Sequence, residues 1–273
     1  MIKKIFYFLL ALFAIGGFAV LALLSWLPTD KEIKGCLVTR MYQVSLCPTS
    51  KDYVPLRQIS AYLQKTIIMT EDSSFYSHQG FDWEAIEKNA REGWEKGVFK
   101  RGGSTITQQL AKNMFLTKDR TFIRKGLEAL ITERIEKALT KKELYERYLN
   151  VVEFGKEVYG VKAAAQYYFK KKPAELSVVE SAFLAMVLPN PIKYSKSFYR
   201  KELTPFARKR LRNIVEDLYR YKRITEDEYL LGKDELASFL RPAAPAPSED
   251  SLENPPESEF LESEDSSEED SLF

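Results

Sequence analysis

Apolar positions recur every three or four residues through most of the central chain, which predicts a mainly helical protein. Four positions spaced by four residues follow Pro55: Ile59, Leu63, Ile67 and Glu71. This spacing places them on one helical face, so Glu71 ends an apolar stripe. A carboxylate there is either paired or has a raised pKa, as a general base near neutral pH requires. On this stretch alone a solvent-facing glutamate remains the commoner alternative, because most glutamates are hydrated.

Caps and apolar spacing predict further helices over 83–94 (capped by Asp82), from about 104, and over 122–139, 141–150, 161–169, 177–188, 205–222 and 225–238. Residues 28–55 predict an irregular connector with short extended pieces at 37–38 and 42–44. Gly155 and Gly160 bracket a predicted turn.

A flexible basic loop is predicted over 97–103, ahead of a Ser/Thr-capped helix start. Thr105 and Gln108 have the spacing of a capping box, and Ser104 is an alternative cap. Such a start leaves backbone N–H groups open to an anion. Gln108 and Lys112 lie one turn apart and share a face. Alone this signal is weak, since most such stretches are ordinary joins between loop and helix.

The predicted helix 122–139 carries two charges within its apolar stripe. The stripe consists of Leu127, Ile131, Ile135, Ala138 and Leu139. Arg124 and Glu128 fall inside it, one turn apart. Either they form a structural ion pair, or this face borders a polar cleft. The helix alone does not separate these alternatives.

The N-terminal segment predicts a membrane anchor. Residues 5–27 are 23 consecutive uncharged residues, and about 20 apolar residues span a bilayer. Lys3 and Lys4 precede the run and favour a cytoplasmic N-terminus. The predicted organisation is a cytoplasmic stub (1–4), an anchor (5–27), a juxtamembrane connector (28–52), an extracytoplasmic domain (53–240) and a disordered acidic tail (241–273).

Charge and cysteine content narrow the partners. The net charge is +2, but the tail after Arg241 has 11 acidic and no basic residues, so residues 1–241 carry +13. A basic extracytoplasmic domain favours anionic lipid headgroups or a phosphorylated lipid over nucleic acid. Cys36 and Cys47 lie in the connector, outside the apparent core, and a disulfide and two free thiols are both open. Two cysteines and the single His78 make an implausible zinc site.

Five motifs in order resemble those of the family 51 glycosyltransferases, which polymerise lipid II. They occupy 71–80, 102–113, 124–128 with 144–150, 160–169 and 176–191. The resemblance covers roughly 53–222, and the absence of a transpeptidase-length segment after 222 points to the monofunctional branch. It implies a mainly α, lysozyme-like domain, with a head and a membrane-proximal jaw, behind a single transmembrane helix.

The resemblance also implies a set of roles. Glu71 and Glu128 match the family's catalytic carboxylates, with Glu71 as the base. Glu128 would orient its neighbouring cations, hold a divalent metal or help protonate the leaving group, and the first two roles are favoured. The positions expected to meet the donor diphosphate are Lys112, Arg124, Lys125, Gln108 and Ser104. Structural support within the first motif is expected from Asp72, Phe75 and His78.

The expected reaction adds lipid II to a glycan strand carried on undecaprenyl diphosphate, at the outer face of the cytoplasmic membrane. No cofactor is required by the sequence, although Mg²⁺ or Mn²⁺ at the diphosphate stays open. Other cell-wall synthesis and division proteins are further expected partners. One alternative is a membrane-anchored muramidase, which would not need the cations Lys112, Arg124 and Lys125. The other is a non-enzymatic scaffold, against which the intact Glu71 and Glu128 argue.

Overall fold

The computed structural model describes residues 2–97, 103–119 and 121–240, all within one compact unit, 1–241. The predicted acidic tail and most of the predicted basic loop lie outside the described residues. The helices are α1 Ile2–Trp26, α2 Asp30–Lys34, α3 Ala61–Glu71, α4 Trp83–Lys96, α5 Ile106–Phe115, α6 Phe122–Ala138, α7 Lys141–Val151, α8 Gly160–Phe169, α9 Val178–Val187, α10 Pro191–Tyr194, α11 Lys196–Tyr199, α12 Pro205–Arg220 and α13 Glu226–Ser238. The mainly helical prediction is confirmed.

Two short antiparallel pairs accompany the helices. β1 (Leu37–Val38) pairs with β2 (Ser45–Leu46), and β3 (Glu153–Gly155) pairs with β4 (Val158–Tyr159) around the turn predicted between Gly155 and Gly160. The extended piece predicted at 42–44 is wrong. The Thr39 hydroxyl and carbonyl accept from the amides of Val44 and Gln43, which closes a turn there.

The cysteine-bearing connector contributes to the core, contrary to expectation. Ile33, Thr39 and Leu46 are fully or almost fully buried. Arg147 of α7 reaches back to this segment and donates from Nη2 to the Lys34 carbonyl at 2.9 Å. Cys36 and Cys47 form a disulfide, which settles the alternative left open by the sequence. Short segments of this kind have few periodic positions, so their burial is not visible in the pattern.

Helix α9 is the centre of the core. Each of its ten residues is buried, as expected for a helix that is apolar on all sides. Ser177 and Glu180 form the predicted capping box, and α3, α12 and α13 pack around α9. Leu63 and Ile67, on the apolar face of α3, are buried in this core. Their burial fixes the orientation of α3 and therefore the position of its last residue, Glu71.

The first helix exposes a series of large apolar side chains between Ile5 and Phe18. Within the described residues, no helix meets both the length and the apolarity that a membrane span requires.

Candidate active site

Glu71 lies at the C-terminal end of α3 and is only partly accessible. Gln109 of α5 donates from Nε2 to Glu71 Oε2 at 3.0 Å. The Tyr148 hydroxyl of α7 in turn donates to Gln109 Oε1 at 3.1 Å, which fixes the orientation of the amide. Tyr148 is fully buried, and burial raises its pKa, so its proton is retained for this bond. Three helices therefore meet at one carboxylate.

Burial raises the pKa of Glu71. The hydrogen bond from Gln109 and the positive charges of Arg210 and Lys112 act in the opposite direction, whereas the charge of Asp72 adds to the rise. The effect of burial on the pKa is larger than these lowering effects, because the direct hydrogen-bond partner of Glu71 is a neutral amide and not a cation. Glu71 therefore has the environment of a general base whose proton affinity exceeds that of a solvated glutamate.

Helix α5 has two polar side chains that remain partly accessible. Between Thr105 and Met114, only Gln109 and Lys112 are not buried. They are three residues apart, so the face that the structure opens contains Gln109 instead of Gln108. Burial lowers the pKa of Lys112, and the nearby charge of Glu128 works against that change. Among the described residues, Lys112 has no salt-bridge partner.

The start of α5 confirms the predicted capping box but not the predicted anion site. Thr105 is the cap, and its capping box uses Gln108, whose Oε1 accepts from the Thr105 amide at 3.0 Å. Gln108 is buried and structural. The Ile106 amide donates to Asp72 Oδ2 at 2.9 Å, so a carboxylate of the protein already occupies the expected anion position at this helix start. The expectation of open N–H groups there was wrong, because sequence spacing does not reveal that α3 ends beside α5.

Asp72, His78 and Phe75 surround this junction. Asp72 Oδ1 accepts from His78 Nε2 at 2.8 Å, and His78 Nδ1 accepts from the Gly80 amide at 3.1 Å. These bonds assign the imidazole as neutral with its proton on Nε2. Phe75 is fully buried and packs against Tyr145, with Lys141 Nζ 4.6 Å from its ring centre. All three side chains therefore make contacts that hold the chain segment next to Glu71 in place.

Glu128 is buried on α6 and is held by two cations. Arg124 Nη1 donates to Glu128 Oε2 at 2.9 Å, and Lys125 Nζ donates to Oε1. Lys125 also lies 3.5 Å from the Ser104 hydroxyl, so the exposed Ser104 belongs to this cluster as a side chain and not as a helix cap. Arg124 Nε is buried and has no partner among the described residues. Of the two alternatives for this helix, the structure confirms the ion pair.

Two cavities flank Glu71. One, of about 160 Å³, is lined by Glu71, Asp82, Asn89, Gly103, Ser104 and Thr105 among others. The second, of about 410 Å³, is lined by Met69, Thr70 and Ser73 on one side and by Arg210, Tyr221 and Arg223 on the other. Sequence reasoning missed Gln109, Tyr148 and Arg210 as neighbours of Glu71. Of these three, only Gln109 could have been found from the sequence, because its spacing of three residues from Lys112 places both on one helical face.

The comparisons with known proteins agree with this geometry. A transglycosylase family model matches residues 39–218. The protein named biosynthetic peptidoglycan transglycosylase from Herminiimonas arsenicoxydans is 50% identical over 142 residues, covering 52% of this chain and 62% of that protein. Its namesake from Methylobacillus flagellatus is 41% identical over 172 residues, covering 63% and 73%. The one from Dechloromonas aromatica is 45% identical over 147 residues, covering 54% and 64%.

The matched stretch thus spans less than two thirds of two of these three relatives. The range matched by the family model, however, covers more than half of this chain. It includes Glu71, Glu128 and the cations around them. The chain belongs to the transglycosylase family.

Proposed function

We propose that this chain is a peptidoglycan glycosyltransferase. It joins lipid II to a growing glycan strand through a β-1,4 bond and releases undecaprenyl diphosphate. The observation that carries the proposal is a mostly buried glutamate, Glu71, within electrostatic range of a cation, Lys112, that forms no salt bridge among the described residues. The shared name of the three relatives supports the substrate class.

Glu71 acts as the base in this scheme. It takes the proton of the acceptor's GlcNAc 4-hydroxyl as the oxygen attacks the anomeric carbon of the donor MurNAc. The attack inverts an α-linked diphosphate into a β-glycoside. The raised pKa of Glu71 supports this role, because a base with a higher pKa accepts a proton more readily in the transition state. Gln109 and Tyr148 hold the carboxylate in one orientation throughout the reaction.

The leaving diphosphate gathers negative charge as the bond breaks, so catalysis requires cations placed where that charge develops. Lys112 and the partly exposed guanidinium of Arg124 are suited to meet it, with Lys125 at the exposed end of the cluster. Glu128 positions Arg124 and Lys125 through its two carboxylate oxygens. Ser104 adds a hydroxyl beside Lys125. Gln108 is left with a structural role, because its side chain completes the capping box of Thr105 at the start of α5.

A divalent metal does not fit the side chains of this cluster. Both oxygens of Glu128 already accept hydrogen bonds from cations. In the described parts of the chain, no group of three or more His, Cys, Asp or Glu side chains is arranged to hold an ion. The three cations Lys112, Arg124 and Lys125 therefore neutralise the charge of the leaving diphosphate in this proposal.

The membrane setting belongs to the same proposal. The uncharged run 5–27 serves as a single-pass anchor, with the N-terminus in the cytoplasm and the catalytic domain on the periplasmic face of the inner membrane. A domain divided into a head and a membrane-proximal jaw would place Glu71 near a lipid-borne substrate. Other cell-wall synthesis and division proteins are the proposed partners.

The muramidase alternative is less well supported. Its substrate is a sugar linkage without a diphosphate, which gives a mostly buried, unpaired Lys112 nothing to neutralise. Retaining such a cation without an anionic ligand costs desolvation free energy. The cation cluster thus favours transfer from a diphosphate over hydrolysis.

The test is lipid II consumption by the purified full chain in detergent, with the glycan product sized on a gel. We expect long glycan from the wild type. Glu71→Gln keeps the size and the amide partner of the side chain but removes the base, so we expect the rate to fall about 1000-fold. Lipid II binding should persist in that variant.

Glu133→Gln is the matched control, because Glu133 is an exposed glutamate whose carboxylate pairs with Lys137 on α6. It should polymerise like the wild type. Polymerisation by Glu71→Gln at the wild-type rate would disprove the base assignment. Release of free sugars with no polymer would instead favour the muramidase.

A further inference from the structure

A pocket of about 390 Å³ lies where α10 and α11 meet the first turn of α12. We call it the α12 pocket and define it by Lys193, Tyr194, Lys196, Arg200, Thr204 and Phe206. None of these residues belongs to the cluster around Glu71 or Glu128. The region follows the last of the five motifs, so the proposed chemistry assigns it no task.

The lining combines positive charge with flat apolar surface. Lys193, Lys196 and Arg200 are exposed, and within the described residues none has a carboxylate at salt-bridge distance. The rings of Tyr194 and Phe206 stack with centroids 5.6 Å apart, and Phe206 remains 58% exposed. A concave site of this composition suits a ligand that has both flat apolar faces and several anionic groups.

The α12 pocket and the cavity beside Glu71 both take lining residues from α12. Phe206 and Arg210 are four residues apart, which places them on the same helical face about 6 Å apart along the axis. Arg210 lines the cavity that Met69, Thr70 and Ser73 form beside Glu71. A chain-like ligand that leaves Glu71 along α12 would therefore meet Arg210 first and the α12 pocket next.

We propose that the α12 pocket binds the peptide-bearing glycan strand at a distance from the reacting bond. The inference rests on the proposed function, because that reaction makes a strand with the required chemistry. Its pyranose rings have apolar faces that can stack on Tyr194 and Phe206. Its stem peptides carry carboxylates that can pair with Lys193, Lys196 and Arg200. Holding the strand there keeps it bound between additions, so the pocket sets the length of the product.

Anionic lipid is the competing ligand, since three cations also suit phosphate headgroups. Two observations favour the glycan. The stacked aromatic pair lines a concave pocket, and α12 connects that pocket with the cavity at Glu71. A headgroup site requires neither feature.

The test uses the wild type and three variants of the full-length chain in detergent. The first variant, Lys193→Gln with Arg200→Gln, removes two cations from the pocket, and the second, Phe206→Ala, removes one face of the aromatic pair. The control, Lys156→Gln with Lys209→Gln, removes two exposed cations that lie outside the pocket lining. Thermal melting of each protein verifies folding before any comparison.

Binding is measured with premade, uncross-linked glycan strands, with and without their stem peptides. We expect the cation variant to lose about tenfold in affinity for peptide-bearing strands and little for bare strands. Phe206→Ala should weaken binding of both kinds of strand. The control should match the wild type.

Product length is then compared at equal lipid II consumption, where both pocket variants should give shorter strands than the control. Unchanged strand affinity and product length in both variants would overturn the proposal. So would loss of binding to anionic phosphatidylglycerol vesicles with strand binding intact, which would assign the pocket to lipid. The premade strands keep this test separate from the proposed function: a wild type that binds strands without polymerising lipid II would contradict the function alone.

Discussion

Glu71 and Glu128 are both carboxylates at mostly buried helical positions, and Lys112 interacts electrostatically with each of them. Their direct partners differ in kind. Glu71 accepts a hydrogen bond from a neutral amide, Gln109. Glu128 accepts from two cations, Arg124 and Lys125. The same residue type has thus been placed beside a neutral partner in one case and beside two cations in the other.

The difference has a chemical meaning. A base must take up a proton during the reaction, so an ion pair with a direct cation would oppose its task. A residue that positions cations must stay ionised, so direct ion pairs support its task. On this argument Glu71 is suited to proton transfer and Glu128 to holding Arg124 and Lys125, which is a separation of roles by environment.

The comparison also predicts opposite effects on stability, because burial opposes the charge of Glu71 whereas ion pairs stabilise that of Glu128. Glu128→Gln leaves Arg124 without its carboxylate, and we expect it to lower the free energy of unfolding by about 2 kcal/mol. This is less than the loss of a fully buried ion pair would cost, because Lys125 is half exposed. Catalytic efficiency should fall about 100-fold as the cations lose their position. Thermal melting and lipid II turnover measure the two effects.

Glu71→Gln is the partner variant in that experiment. A glutamate whose pKa is raised by burial destabilises the fold as pH rises through its ordinary pKa toward the raised one. The Glu71→Gln variant, which lacks this ionisation, should therefore melt about 2 °C higher than the wild type at neutral pH. A fall in melting temperature for Glu71→Gln, or a rise for Glu128→Gln, would contradict the assigned environments.

The pH dependence of turnover examines the Glu71 side of the comparison alone. The base must be ionised, so activity is lost as pH falls through its pKa, and the raised pKa places this acidic limb above that of a solvated glutamate. Lys112 lowers the pKa of Glu71, so Lys112→Gln should move the limb to still higher pH. It should also reduce kcat/KM at neutral pH by about 30-fold, through loss of the diphosphate contact.

Lys142→Gln is the control for that experiment, because it removes an exposed lysine at the start of α7. Its pH profile should superimpose on that of the wild type. An acidic limb that stays in place in Lys112→Gln, with KM alone raised, would show that Lys112 binds substrate without acting on Glu71.

The longer helices of the domain and the two carboxylates could be predicted from sequence because they depend on local rules, whereas the short helices α2, α10 and α11 were not predicted. Apolar spacing gave the helices, and Asp82, Ser177 and Thr225 each mark a helix start through a side-chain bond within three residues. The Arg124–Glu128 ion pair was one of two alternatives that their spacing of one helical turn allowed, and the structure contains it. These features require no knowledge of how distant segments pack.

The contacts that tune Glu71 could not be predicted because they join distant segments. Gln109 is 38 residues from Glu71, and either Gln108 or Gln109 fits a helical spacing with Lys112. The buried capping box of Gln108 decides between them, and its burial depends on packing around α5. The anion site predicted at α5 failed for the same reason, since Asp72 reaches it from the end of α3.

The smallest effect is expected from the residue farthest along the chain of contacts to Glu71. Tyr148→Phe preserves the buried ring but removes the hydroxyl that donates to Gln109 Oε1 at 3.1 Å. The Gln109 amide then lacks its hydrogen-bond donor, so we expect kcat/KM to fall about threefold and the free energy of unfolding to fall by about 1 kcal/mol.

Tyr145→Phe is the matched control, because Tyr145 is equally buried on α7 but donates to the Gln64 carbonyl at 2.8 Å. It should lose similar stability and keep its rate. Equal rate losses in both variants would mean that α7 acts on the site through packing alone, whereas a loss confined to Tyr148→Phe would locate the effect in the bond that orients Gln109 toward Glu71.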